Sequence, residues 1–141
     1  MSTCADEHGF SLIELLIVIA VIGILSALAV PSLMGARAAA RQASAVSTLR
    51  LMVSVEHQFQ VSRGRYADLN EINQFQNNNL GTMVGRTLPR QGYVFQMVPT
   101  APTPAQLANG FTIAATGNGP DGTTPYIFLT DQSGVISQVS P

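Results

Sequence analysis

Lysine is absent from this sequence, cysteine occurs once, at Cys4, and histidine occurs only at His8 and His57. A single cysteine excludes an intramolecular disulfide, so the fold must be held together without one. Beyond residue 9, His57 is the only histidine, which is too few for a His-based metal site. Without lysine there is also no Gly-Lys-Ser/Thr loop of the kind that binds phosphate. We therefore expect neither an enzyme nor a bound cofactor.

Charged side chains are also scarce. They make up 11% of the 141 residues, against 46% hydrophobic residues, and the formal net charge is −1. This balance is typical of one small domain joined to an apolar helix. No basic cluster reaches the density of a nucleic-acid surface, so DNA binding finds no support in the sequence. The basic residues are Arg37, Arg41, Arg50, Arg63, Arg65, Arg86 and Arg90.

A long uncharged run is the most informative feature that is present. It extends over the 22 residues from Leu15 to Ala36, and Glu14 stands directly before it. As a helix the run would rise roughly 33 Å, enough to cross the hydrocarbon of a bilayer. A carboxylate so close to a membrane segment costs several kcal/mol unless another group pairs with it. Glu14 is therefore a candidate functional residue.

The segment GFSLIELLIVIAVIGILSALAVP, which begins at Gly9, resembles the class III leader and N-terminal helix of type IV pilins and type II secretion pseudopilins. The resemblance implies that a prepilin peptidase removes residues 1–9 by cutting between Gly9 and Phe10. It also implies methylation of the new amine on Phe10, at the head of a mature chain of 132 residues. The amine and Glu14 lie about one helical turn apart. Pairing of Glu14 with the Phe10 amine of a neighbouring subunit would set the axial register of an assembly.

The family resemblance also implies partners and a location. We expect a helical homopolymer, processed by the peptidase and built by an inner-membrane assembly platform from subunits held in the membrane. The precursor would lie in the inner membrane, and the product would be an extracellular type IV pilus. The alternative is the major pseudopilin of a type II secretion system, which would form a periplasmic filament. A third hypothesis is a monomeric binding domain anchored in the membrane.

Two other interpretations of the N-terminus explain less of the sequence. In a secretory signal peptide, Ala27-Leu28-Ala29 would be the cleavage site and the product would begin at Val30, but Glu14 would interrupt the apolar core. A simple membrane anchor explains the length of the apolar run but neither Glu14 nor the Gly-Phe junction. The leader itself departs from most pilin leaders because it has no Lys or Arg before Gly9. Either translation starts elsewhere, or insertion depends on the apolar segment alone.

The predicted fold class is α+β. A long N-terminal helix has a protruding hydrophobic half over 10–36 and an amphipathic half over 37–63, packed against a small antiparallel sheet. Pro31 lies inside this helix and is expected to kink it, because proline removes a backbone hydrogen bond. The stripe that we expect to face the sheet has three- and four-residue spacing. It consists of Ala45, Val46, Leu49, Met52, Val53 and Phe59.

The remainder divides into a connection over 64–92 and an antiparallel sheet over 93–141. Gly64 is expected to end the helix, and a short helical turn is expected in the Asn- and Gln-rich stretch that follows. Within the sheet, alternation places Tyr93, Phe95 and Met97 on one face, and the residues from Asp131 to Gly134 form a tight hairpin. Asp121 and Asp131 are weak candidates for calcium, since turn formation explains them equally well.

Overall fold

The structure is a computed structural model, and it describes residues 10–119 and 124–139. It confirms the α+β class. The longest element is helix α1, Leu12–Arg63, and the chain divides into two compact units, one up to Ala36 and one beginning at Arg37. In the first unit, every described residue is exposed. By length and composition α1 could cross a membrane, with an 18-residue window of mean hydropathy 2.8.

The second unit contains the rest of α1 and a five-stranded sheet. The strands are β1 Thr87–Arg90, β2 Tyr93–Met97, β3 Thr112–Asn118, β4 Pro125–Asp131 and β5 Ile136–Val139. Two short helices complete the unit. Helix α2, Leu69–Phe75, lies between α1 and β1 along the chain, and helix α3, Pro104–Asn109, lies between β2 and β3. All neighbouring strands are antiparallel in the order β1-β2-β3-β4-β5. Because each strand pairs with the next one along the chain, the sheet is a simple meander.

The hydrophobic core lies between α1 and one face of the sheet. Of the predicted stripe, Val46 is partly buried and the other five residues are buried. Alternation on β2 is also confirmed, since Tyr93, Phe95 and Met97 are all buried. The amphipathic half of α1 therefore covers the face of the sheet that the sequence predicted. Gly64 ends α1 as expected, with φ at 75° and its amide bonded to the carbonyl of Gln60.

The segment 64–92 differs from its predicted description as a connection. It contains α2, and the sheet begins at Thr87, before the predicted start at Tyr93. Strand β1 includes Pro89, which a central strand would exclude but an edge strand tolerates because one side needs no ladder hydrogen bond. The two-residue turn to β2, Gln91 and Gly92, has positive φ at both positions, and Ser44 of α1 donates a hydrogen bond to the Gln91 side chain.

Helix α3 lies within 93–141, for which the sequence predicted an antiparallel sheet. Its N-cap is Thr103, whose side chain accepts from the Gln106 amide, while the Gln106 side chain accepts from the Thr103 amide. Pro104 follows the cap, where a proline costs no helical hydrogen bond. This capping box explains why six residues form a helix here.

The hairpin from Asp131 to Gly134 is confirmed, because β4 and β5 pair with Thr130 opposite Ile136.

The contact between Gly117 and Tyr93 supplies a stability prediction. These residues are direct partners across β2 and β3, and a Cβ atom on Gly117 would lie 2.7 Å from two carbons of the Tyr93 ring. Tyr93 is only 1% exposed. We expect Gly117→Ala to lower the free energy of unfolding by about 1–3 kcal/mol, because the ring must leave its packed position. Thermal unfolding of the full chain in detergent would measure the loss.

Thr116→Ala is the matched control, since Thr116 belongs to the same strand but is only partly buried and faces away from the core. It should change the free energy of unfolding by no more than about 0.5 kcal/mol. Equal unfolding temperatures for Gly117→Ala and the wild type would show that the ring has room to move.

Candidate functional site

The described chain begins with the residues that the sequence singled out. Phe10 is 83% exposed, and α1 begins two residues later. The carbonyl of Ser11 accepts hydrogen bonds from the amides of Glu14 and Leu15, which places Glu14 in the first turn of α1. A carboxylate in this position is favoured by the positive end of the helix dipole. The local fold thus keeps Glu14 within a turn of the Phe10 backbone.

The Glu14 side chain is exposed, and among the residues that the structure describes none forms an ion pair with it. The part of α1 on both sides of Glu14, up to Ala36, is almost wholly apolar and equally exposed. Its exposed large hydrophobic residues are Leu12, Ile13, Leu15, Leu16, Ile17, Val18, Ile19, Val21, Ile22, Ile24, Leu25, Leu28, Val30, Leu33 and Met34. Each such side chain gains about 1.5–3 kcal/mol when fully removed from water. This surface therefore requires lipid or other protein around it.

Pro31 lies inside α1, and the helix is continuous through it. Because proline has no amide hydrogen, the carbonyl of Ala27 lacks its usual intrahelical donor at this point. The expected kink at Pro31 stays a prediction. Gly9, on the other side of the expected cleavage point, lies outside the described residues, so cleavage between Gly9 and Phe10 and methylation of Phe10 also stay predictions.

Of the two calcium candidates, the structure describes only Asp131. Asp121 lies outside the described residues. The Asp131 carboxylate accepts hydrogen bonds from the amide and the hydroxyl of Ser133, at 2.8 and 2.5 Å, and these bonds hold its pKa below the ordinary value. This carboxylate thus stabilises the turn between β4 and β5. Within 10–119 and 124–139, no three His, Cys, Asp or Glu side chains come together as a metal site. His57 is exposed, with its ring edge-on to Tyr66.

A second carboxyl group of α1, which the sequence did not single out, is buried in the globular unit. Glu56 is 0% exposed and shares the apolar stripe with Met52 and Phe59. Its Oε2 accepts a hydrogen bond of 2.9 Å from the amide of Ala67. Its Oε1 has no hydrogen-bond partner among the described residues. The sequence signal was the spacing, since a residue three before Phe59 and four after Met52 lies on the same helical face.

The pKa of Glu56 is raised to about 8, chiefly by burial and in addition by the negative charges of Glu71 and Asp68. The Ala67 amide and the positive charge of Arg65 act in the opposite direction. At neutral pH the Glu56 carboxyl is therefore mostly protonated in the folded chain. A neutral carboxyl costs much less to bury than a carboxylate does.

The α1–α2 connection consists of residues 64–68, and Glu56 holds it by accepting from the Ala67 amide. Arg65 pairs with Glu71 through two hydrogen bonds of 2.9 and 2.5 Å, and this pairing lowers the pKa of Glu71. Asp68 caps α2 by accepting from the Glu71 amide, and Glu71 accepts in return from the Asp68 amide. The amide of Tyr66 donates to the carbonyl of Leu107. The connection is thus fixed at several points.

Comparison with known proteins bears on the N-terminal site. Residues 4–30 match the family described as the prokaryotic N-terminal methylation motif. This match includes both Gly9 and Glu14. The chain is also 42% identical over 67 residues to the type IV major pilin protein PilA of Myxococcus xanthus. Residues 4–30 thus carry the N-terminal methylation motif, and these matches support a relationship to type IV pilins and type II secretion pseudopilins.

Relatives from both branches of the family match. The chain is 41% identical over 61 residues to the type IV wide pilus major component PilA4 of Thermus thermophilus, and 29% identical over 96 residues to the type II secretion system core protein G of Dickeya chrysanthemi. The matches cover 47%, 43% and 62% of this chain in the Myxococcus, Thermus and Dickeya comparisons. They cover 30%, 47% and 58% of those relatives. The chain thus matches less than two thirds of the length of each of these pilins and pseudopilins.

Proposed function

We propose that this chain is a non-enzymatic structural subunit of an extracellular type IV pilus, polymerised through the N-terminal half of α1. The observation that carries the proposal is the exposed apolar surface from Leu12 to Met34 with one exposed carboxylate, Glu14, at its head. Before assembly, lipid covers this surface in the inner membrane. In the filament, the helices of neighbouring subunits replace lipid, so packing and the pairing of charges stabilise association.

Processing makes that pairing available. Cleavage between Gly9 and Phe10 by the prepilin peptidase creates a positively charged amine, and methylation keeps its charge. In the filament, the amine of one subunit meets Glu14 of its neighbour, and the assembly platform in the inner membrane delivers the subunits. One axial offset satisfies both charges, so the pair selects the register between subunits. Pro31 would let α1 bend or unwind locally as helices pack.

The second candidate function is that of a major pseudopilin in a type II secretion system. One observation favours it: the match to core protein G of Dickeya chrysanthemi extends over 96 residues and 58% of that protein, further than the match to the Myxococcus pilin. The same physics of assembly applies, but the filament would stay in the periplasm.

Intact-mass and N-terminal analysis of two fractions, surface-sheared material and membranes, tests the proposal. A chain that begins with methylated Phe10 in the sheared fraction is the expected result. The same mature chain confined to membranes would favour the pseudopilin. A chain that begins at Val30 would overturn both functions, because it would have lost the assembly surface as a secretory signal peptide.

A further inference from the structure

The buried Glu56 carboxyl and the connection that it holds have no part in the proposed polymerisation. Glu56 contacts a backbone amide eleven residues away, at Ala67, which is itself 0% exposed. Among the residues that the structure describes, this is the one hydrogen bond between an α1 side chain and the backbone of residues 64–68, at the point where the chain leaves α1 for α2. We propose that Glu56 is a proton-controlled latch, whose neutral carboxyl keeps this connection closed against α1 and whose ionisation favours its opening.

The arrangement of hydrogen bonds explains the preference for the neutral form. A carboxylate has two negative oxygens that need donors, but only Oε2 of Glu56 has one, from Ala67. Burying an ionised group with an oxygen unsatisfied is costly, whereas the neutral acid still accepts from the Ala67 amide. An ionised Glu56 therefore gains by reaching water, and it reaches water when the connection moves away from α1.

The two surrounding carboxylates act in the same direction, and the positive charge of Arg65 opposes them. The charged groups that act on Glu56 are Arg65 of the connection, Asp68 at the N-cap of α2 and Glu71 in its first turn, and no charged group of the described strands is among them. Arg65 is engaged with Glu71, at 2.5 Å, and so is not free to pair with Glu56. Two carboxylates near a third favour its protonated form.

The pH range of the latch follows from linkage. In the closed state the pKa of Glu56 is about 8, and in the open, hydrated state it returns toward its ordinary value of 4.5. The closed state binds the proton more tightly, so it is most stable below pH 4.5 and is progressively weakened as the pH rises to about 8. Above that range the proton is lost in both states, and the equilibrium between the closed and the open state no longer changes with pH.

Hydrogen exchange of single amides in the full chain, held in detergent micelles, tests the latch. The intrinsic exchange rate is divided out, so the protection factor reports opening. Between pH 5.5 and 7.5 we expect the protection factor of the Ala67 amide to fall at least about tenfold in the wild type, toward a limit of about tenfold per pH unit. In Glu56→Gln, which keeps an acceptor for Ala67 but cannot ionise, it should stay constant.

Two references make the outcome decisive. Asp131→Asn removes a carboxylate from the β4–β5 turn, and the protection factor of the Ala67 amide should keep its wild-type dependence on pH. The amide of Phe95, in a central strand, should keep a constant protection factor, because opening is local. A constant factor at Ala67 in the wild type, or the same fall in Glu56→Gln, would overturn the latch. Should Glu56→Gln fail to fold, a fall at Phe95 parallel to that at Ala67 would overturn it too.

Discussion

Replacing Glu14 by alanine is expected to abolish filaments while leaving the subunit folded and inserted in the membrane. In the proposed filament, the change would leave the Phe10 amine of the neighbouring subunit unpaired in an apolar bundle, and breaking a buried ion pair in this way costs about 3–5 kcal/mol. That cost weakens each contact more than about a hundredfold. The globular unit should not respond, because Glu14 is exposed and the core begins with residues of the second unit. Electron microscopy and the yield of sheared filaments would measure the loss.

Ser11→Ala is the matched control for Glu14→Ala. Ser11 belongs to the same turn, and its contribution to the first turn is made by the backbone carbonyl, which the substitution keeps. Filaments should form from this variant at close to the wild-type yield. Normal filaments from Glu14→Ala would contradict the role of Glu14 in the register, whereas an unfolded Glu14→Ala subunit would assign it to folding.

Replacing Gly9 by leucine is expected to stop removal of the leader almost completely. Glycine lets the backbone approach a partner closely because it has no Cβ, and a branched side chain next to the scissile bond would prevent that approach. The family motif that matches residues 4–30 includes this junction. The membrane-bound chain should therefore keep the mass of the uncleaved precursor, and the product that begins at Phe10 should be missing.

Ala5→Leu adds a similar side chain to the leader four residues before the junction, and it should be processed normally. A mature-sized chain from Gly9→Leu would count against a class III leader. Since the proposed cleavage creates the Phe10 amine, the Gly9→Leu precursor should also fail to enter filaments, as is expected of Glu14→Ala, although it keeps its carboxylate.

The sequence predicted the N-terminal site and the covering helix because both depend on local patterns. Glu14 before an uncharged run is visible at once, and the stripe from Ala45 to Phe59 follows the period of one helix. The alternation in β2 is equally local. In each case the residues that act together are neighbours along the chain.

Glu56 could not be recognised in the same way, because its role depends on Ala67, which follows only after α1 has ended. A charged residue in an amphipathic helix is normally assigned to the solvated face, and the spacing to Met52 and Phe59 was the sole contrary signal. Strand β1 was missed for a related reason. Its pairing of Leu88 with Phe95 is set by the two-residue turn, and Pro89 argued against a strand until its edge position was known.

Helix α3 was missed although its signal is local. The residues from Thr103 to Gln106 have the Thr-Pro-x-Gln order of a capped helix start, but two prolines at 99 and 102 made the whole region resemble a loop. The N-cap of α2 has the equivalent Asp-x-x-Glu order and was predicted only as a helical turn. Short helices of this kind are fixed by their caps, because six or seven residues are too few to be stable alone.

The exposure of every described residue up to Ala36 has an evolutionary consequence. Side chains that the folded subunit leaves exposed contribute little to its free energy of unfolding. In the proposed filament, selection would act on substitutions there through contacts with lipid and with neighbouring copies alone. Substitutions in the core from Ala45 onward are screened by folding. A double mutant with one change in each unit should then show little epistasis in unfolding experiments, because distant sites without shared partners add independently. The two halves of one helix can accordingly diverge under separate constraints.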